Sequence, residues 1–346
     1  MSTIHTLNVD GISIPTNVFF APINPGYSIN GIIQDDYKRF FSLRSGNNIG
    51  ICYIGNVALQ KKWSSNINTA VLYATPPNEW SNLIKRIINN GSLPGIQLAW
   101  KPTNFTLQRT FVTDNIAEQV STFKKFYEEF EDYEKISELI LNSINYVSSL
   151  GFSVVQLHAA HGYALSLLLS RAISGCDNPG DTKGAHLLKS ISTHLSKNNF
   201  IFDIRLSLFE GIDDTCELEY KNKLVKLLID YGFDMISFSN GFYNINKKMI
   251  YPSKSEDSIV VSFVETLAKQ YPSVIWNVAG NMEKILEQDL YKLKNISFSL
   301  GRQLISDPQT ITKILNKDFM TIKRCTECNA CHYYSFGYNG IRECQN

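Results

Sequence analysis

Short apolar runs rich in β-branched and aromatic residues recur along the chain, each followed by a longer stretch whose apolar positions return every three or four residues. The runs are NVFFAPI (17–23), NIGICYIG (48–55), PGIQLAW (94–100), FSVVQLH (152–158), FIFDIRLS (200–207), FDMISFS (233–239), SVIWNVAG (273–280) and ISFSLG (296–301). Their near-continuous apolar character predicts strands buried on both faces rather than half-exposed ones. Between them, DDYKRFFSLRS, NEWSNLIKRIINNG, AHLLKSISTHLSK, YKNKLVKLLIDYG, SFVETLAKQY and MEKILEQDLYKL read as helices, and 116–150 as two more. Gly91 follows the second of these where a helix C-cap is expected.

Strand followed by helix, repeated eight times, predicts parallel strands joined by crossovers. That count within 346 residues favours an α/β fold of the (β/α)8 TIM-barrel type over an open doubly wound sheet. No G-x-G-x-x-G fingerprint opens the chain, which weakens the dinucleotide-fold alternative. The barrel is expected over residues 1–319, with 1–16 as a lid on its floor, and 320–346 as a cysteine-rich C-terminal tail. Chemistry then belongs at the C-terminal ends of the strands. Asn24, Gln97, His158, His161, Arg205 and Asn277 fall there, and the next turns supply Gly280, Gly301 and Arg302.

Composition changes this picture little. Hydrophobic residues make up 44% and charged residues 19%, an ordinary globular balance. A formal net charge of +1 argues against a nucleic-acid platform, which needs a basic patch to neutralise phosphates. No apolar stretch is long enough to span a bilayer. The opening MSTIHTLNVDG lacks a basic start followed by an apolar run, so the expectation is a cytoplasmic protein.

The stretch VVQLHAAHGYALSLLLS places His158 and His161 three positions apart, before Gly162 and Tyr163. The residues alone leave three readings: a metal site, a catalytic pair, or histidines that cap a strand. Zinc needs further ligands at other strand ends, and those ends offer Arg205, Ser239, Asn277 and Gly301 instead.

This stretch resembles the fourth-strand motif of the Old Yellow Enzyme family of FMN-dependent NAD(P)H oxidoreductases. NVFFAPI resembles that family's first strand, GIQLAW its third, DIRLS its fifth-strand arginine, and FSLGRQLISDP its last strand and phosphate turn. The likeness spans most of residues 8–317. It implies FMN, with NADH or NADPH as reductant and a small-molecule acceptor of the α,β-unsaturated carbonyl type. The backbone around Ala21, Pro22 and Ile23 would line the flavin face, and Asn24 would approach its C4 carbonyl and N5 region. Gln97 suits the pyrimidine edge, since its amide both donates and accepts. Arg205 suits the charge that builds near N1 on reduction, with an ordinary buried ion pair as the alternative. Gly280, Gly301 and Arg302 suit the phosphate, with a plain strand-to-helix turn as the alternative for the last two. His158 and His161 would bind the acceptor oxygen, and Tyr163 would supply the proton. Asn56 maps to a cofactor-lining position where the family usually carries a small residue.

The resemblance also has gaps. SRAISGCDNPGDTKG (170–184) replaces a characteristic family loop, with only Arg171 in common, and Ala99-Trp100-Lys101-Pro102 replaces the residues that usually follow Gln97-Leu98. Both changes are expected at the pocket rim. An electron-transfer module and a catalytically retired flavin-binding barrel therefore stand as alternatives.

Cys325, Cys328, Cys331 and Cys344 form a C-x2-C-x2-C-x12-C pattern. Four thiolates so spaced can wrap zinc or an iron–sulfur cluster. Larger members of the same family, of the dienoyl-CoA reductase and trimethylamine dehydrogenase types, carry a similar tail that binds [4Fe–4S]. In them the cluster relays electrons to an additional nucleotide-binding domain, which is not expected within these 346 residues. The pattern therefore implies [4Fe–4S] with a partner protein accepting electrons, or structural zinc, or a relic site. A homo-oligomer is compatible with all of these readings.

Overall fold

The computed structural model describes residues 3–102, 115–196, 199–212, 216–243, 245–246, 254–288, 293–328, 330–333 and 344. Eight strands close into a barrel: β1 (Val18–Ile23), β2 (Ile51–Ala58), β3 (Leu93–Ala99), β4 (Val154–Ala159), β5 (Ile201–Ser207), β6 (Met235–Ser239), β7 (Ile275–Ala279) and β8 (Ile296–Leu300). Every neighbouring pair is parallel and the order is sequential, with β8 returning to β1. Each predicted strand is present, and the fold is a (β/α)8 barrel.

Alternation along the strands explains why they look apolar throughout. Phe20, Cys52, Val155, Phe202, Ile204, Phe238 and Trp276 face the surrounding helices in the main core. Their neighbours Phe19, Tyr53, Val154, Ile201 and Met235 point inward and form a separate cluster. Leu7, Val9 and Ile14 of the antiparallel hairpin Leu7–Val9/Ile12–Ile14 join that cluster. Residues 7–14 thus plug the floor of the barrel with apolar side chains, as expected of a lid. Removing one large member, Phe19→Ala for example, is expected to cost about 3–5 kcal/mol.

Higher in the barrel the interior becomes polar. Gln97, Gln156, Asp203, Ser237 and Asn277 are all buried, and register sets Gln97 beside Gln156 and Gln156 beside Asp203. Above them His158 lies beside Arg205, and Ser239 beside Ser207.

The helices follow the predicted pattern with shifted ends. Pro77–Asn89 is followed by Gly91 at φ +93°, and the long charged stretch holds Ile116–Glu129 and Tyr133–Leu150. Asn115 caps the former through Glu118 N, and Thr182 caps Lys183–His194 through Ala185 N, each satisfying an orphan N–H. The helix expected to begin near 262 starts at Lys254. The one expected over 282–293 runs Glu283–Glu287, with 289–292 outside the described residues. A second hairpin, Ser28–Ile29/Ile32–Ile33, was not expected. Its Asn30-Gly31 turn has φ +52° and +86°, the left-handed pair that an Asn-Gly dipeptide adopts cheaply.

Candidate active site

The polar layer opens into a cavity at the C-terminal ends of the strands. The residues singled out on β1 to β8 meet there: Ala21, Pro22, Ile23, Asn24, Asn56, Gln97, His158, His161, Tyr163, Arg205, Gly280, Gly301 and Arg302 all line it. Asn277 does not; its amide lies deeper, donating to Ser237 and Ser299 at 2.9 Å each.

β4 ends at Ala159, and the chain turns through His161 at φ +63° and Gly162 at φ +78°. A left-handed histidine is strained unless its surroundings hold it. Here His161 N donates to Ser207 Oγ at 2.9 Å, its carbonyl accepts from Tyr243 N at 3.2 Å, and its Nε2 lies 2.8 Å from Ser239 Oγ. The turn brings the His158 and Tyr163 rings together, tilted by 42° with centroids 4.2 Å apart, and sets the two imidazoles edge to face at 5.3 Å. Three proton-handling rings therefore share one wall.

The Tyr163 hydroxyl oxygen accepts from Asn56 Nδ2 at 2.8 Å. Asn56 reaches it because the register of β2 against β3 shifts between Ile54 and Val57; such irregularities re-aim side chains. This bond uses a lone pair of the hydroxyl oxygen and not its hydrogen.

Arg205 is buried on β5, and Nη2 donates to Ser239 Oγ at 3.2 Å. Among the described residues its Nε has no hydrogen-bond partner. Burial draws its pKa down to about 10, partly offset by Asp203, so it remains a cation at neutral pH. Asn240 Oδ1 is a second buried atom on the same wall without a partner among the described residues. Buried polar atoms left unpaired by the protein mark a place where a ligand completes the bonding. A buried cation, an amide that donates and accepts, and apolar backbone at Ala21–Ile23 match the edge and face of a flavin ring.

Asn24 is more committed than expected. Oδ1 accepts from Gly26 N and Nδ2 donates to Thr69 Oγ1, each at 3.0 Å. One amide hydrogen is left for the cavity. Arg302 Nη2 donates to Asn281 Oδ1 at 3.3 Å beside Gly280 and Gly301.

Two expectations about the rim are corrected. Trp100 packs against Trp63 and Phe130, with centroids 5.3 and 5.6 Å away, because a buried aromatic neighbourhood outcompetes the mouth for an indole ring. Arg171 pairs with Asp177 at 2.9 Å. Among the described residues neither 99–102 nor 170–184 contributes to the cavity wall.

The tail begins docked. Lys323 O accepts from Gln303 and Ser306, Cys325 N donates to Gln303 Oε1, and Arg324 forks onto Glu287 at 2.6 and 3.2 Å. Cys325 and Cys331 reach the cavity wall, and burial pushes both thiols up, Cys331 to about 11. Cys328 is exposed and Cys344 half-buried. Among the described residues no group of three or more potential ligands could hold a metal ion as placed. Cys331 nonetheless lies within electrostatic reach of Cys325, Cys328 and Cys344. Residues 329, 334–343 and 345–346 lie outside the described part of the tail.

Ser239, Asn240, Tyr243 and Asn281 also line the cavity; of these only Ser239 had been placed at a strand end, and none had been given a role. Ser239 stands at the end of its run, the one available signal; the others follow strand ends in loops that show no periodicity.

No protein-family model matches the chain. It is 22% identical over 206 residues to an NADH oxidase of Thermoanaerobacter brockii, covering 57% of this chain and 32% of that protein. It is 28% identical over 131 residues to the NADH-dependent flavin oxidoreductase iccE of Talaromyces variabilis, covering 36% of this chain and 31% of that protein. The alignments thus span about a third of these curated relatives. Among solved structures, the old yellow enzyme from Trypanosoma cruzi superposes with a TM-score of 0.68 at 12% identity, over 99% of this chain and 98% of that one. A 2-naphthoyl-CoA reductase gives 0.73 at 14% identity, over 96% of this chain and 55% of that one. Histamine dehydrogenase from Rhizobium sp. 4-9 gives 0.70 at 15% identity, over 99% and 52%. These likenesses establish the fold shared with the Old Yellow Enzymes.

Proposed function

We propose that the protein is an FMN-dependent oxidoreductase that takes reducing equivalents from NADH or NADPH and delivers them to an activated, carbonyl-conjugated alkene. The observation that carries this reading is the convergence of His158, His161, Tyr163, Gln97 and Arg205 on one cavity at the mouth of the barrel. The flavin-dependent and NADH-dependent relatives point the same way.

Bound FMN would supply a two-electron hydride carrier between nicotinamide and acceptor. The Ala21–Ile23 backbone would flank its ring, Gln97 would meet its pyrimidine edge, and Gly280, Gly301 and Arg302 would hold its phosphate. Asn24 and Asn56 would border the ring on the β1 and β2 side. Arg205 would place a permanent positive charge where reduction adds negative charge, in a site too dry for water to screen it. His158 and His161 would donate to the acceptor's carbonyl oxygen, which gains charge as its conjugated carbon is reduced. Tyr163, held through its oxygen by Asn56, would deliver a proton to the neighbouring carbon.

The test is the anaerobic visible spectrum of the purified protein with and without added FMN, followed by NADH or NADPH and 2-cyclohexen-1-one. Flavin absorbance that bleaches with the nicotinamide and returns with the enone is expected. His158→Ala or His161→Ala should keep the bleaching and slow the return about 10²–10³-fold. Protein that stays colourless in excess FMN would end this reading.

A second reading, an electron-transfer module serving a partner protein, rests on Cys325 and Cys331 reaching the cavity wall. Iron and zinc analysis of anaerobically purified protein separates the two. Stoichiometric iron that is lost with Cys325→Ser would favour the second.

A further inference from the structure

Asp203 is wholly buried beneath the cavity, and three donors converge on its carboxylate. Tyr53 Oη donates at 2.6 Å, Gln156 Nε2 at 2.5 Å, and Ser237 Oγ at 3.0 and 3.1 Å. An ionised carboxylate can only accept, so this end of the network has a definite polarity. The hydrogen of Ser237 is committed to Asp203, leaving the Ser237 oxygen to accept from Gln156 Nε2 at 3.2 Å and from Asn277 Nδ2 at 2.9 Å. Both Gln156 amide hydrogens are thereby used, and its Oε1 must be an acceptor. Gln97 meets that oxygen at 2.6 Å with Nε2. The Gln97 amide therefore cannot turn over without setting two carbonyl oxygens against each other. Its own Oε1 and its second Nε2 hydrogen are left to the cavity that it lines.

We infer that Asp203 is a positioning residue: through Gln156 it locks the Gln97 amide so that the cavity presents an acceptor beside a donor, the complement of an imide N–H next to a carbonyl. This deepens the flavin reading and rests on it, since the pyrimidine ring of a flavin carries that N3–H flanked by carbonyl groups. The lock lies in the second, third, fourth, fifth and sixth strands, and none of Tyr53, Gln156, Asp203 or Ser237 itself lines the cavity. The substitution Asp203→Asn brings in both a donor and an acceptor, so Gln156, and with it Gln97, can adopt either orientation.

The experiment titrates apoprotein with FMN and with N3-methyl FMN, followed by quenching of flavin fluorescence. The wild type should prefer FMN over the N3-methyl form by at least about tenfold, the worth of one buried hydrogen bond. Asp203→Asn should weaken FMN binding about tenfold and shrink that preference to about threefold or less. Gln156→Met, which breaks the relay without altering the carboxylate, should do the same and serves if Asp203→Asn does not fold. A general loosening of the barrel would weaken both ligands equally and keep the preference. Variants that retain the wild-type preference would overturn the lock while leaving the flavin site standing. A wild type that binds neither ligand would overturn both.

Discussion

Asn56 Nδ2 donates to the Tyr163 hydroxyl oxygen at 2.8 Å, joining the bulged end of β2 to the turn that follows β4. A small residue at position 56 would leave the phenol without this tether. The bond occupies a lone pair rather than the hydrogen, so it aims the phenol without quenching it as a donor.

Asn56→Ala is therefore expected to lower the rate of enone reduction about 3–10-fold, the net worth of one such bond, with FMN content unchanged. Tyr163→Phe should cost about 10²–10⁴-fold. Stopped-flow reoxidation of the reduced protein by enone measures both. Equal, full rates in the two variants would remove Tyr163 from the reaction.

Arg205 carries a buried positive charge at the height of the histidines. Arg205→Met should make the two-electron potential of bound FMN more negative by about 30–65 mV, corresponding to roughly 1.5–3 kcal/mol for a bond to a charged group. Equilibrium titration against a reference dye reads this directly. A potential that stayed put, or rose, would assign Arg205 to barrel packing alone.

Asp203 gives a pH dependence with a definite sign. Burial raises its pKa from 3.8 to about 6, against the opposing pull of Tyr53, Gln156, Ser237 and Arg205. The folded protein thus binds this proton more tightly than the unfolded chain. The associated stability is complete below pH 3.8 and is lost as pH rises through about 6, to a total of roughly 3 kcal/mol. The Asp203→Asn variant has no titrating group at this position. The stability advantage of wild type over Asp203→Asn should accordingly shrink between about pH 4 and pH 8, as followed by urea unfolding. An advantage that grew over that interval would mean that the network holds the carboxylate's charge better than water does.

Gly55 has no room for a side chain. A Cβ there would lie 2.9 Å from Gln97 Cβ and 3.3 Å from Pro22 Cβ, neither of them the free end of a flexible chain. Gly55→Ala should destabilise the barrel by about 1–3 kcal/mol and reduce FMN occupancy, because both neighbours face the cavity. Thermal unfolding and the flavin-to-protein absorbance ratio check the two effects separately.

The eight strands were legible because each is buried on both faces, so Phe19 and Phe20, or Ile201 and Phe202, are both apolar although they point in opposite directions. Strand ends were legible too, and in a parallel barrel they all open on one side. That is why His158, Arg205 and Gly301 could be placed at a common mouth from local pattern alone. The hairpin at Ser28–Ile33 was missed despite its Asn-Gly turn, since two-residue strands carry no measurable period. The cysteine spacing brought four thiols close along the chain, and Cys331 lies within electrostatic reach of the other three; which ion they would hold is not a property of spacing.

Sequence by itself determined the order of strands and helices and the set of side chains delivered to the open end, for these follow from continuous apolar runs and from a period of about 3.6 residues within short windows. Only the tertiary structure decided who meets whom. Tyr53 and Asp203 lie 150 residues apart, and Trp100 turns to Trp63 rather than to the cavity. Such pairings depend on the register with which the sheet closes on itself, and closure is a relation among all the strands that no single stretch of chain contains.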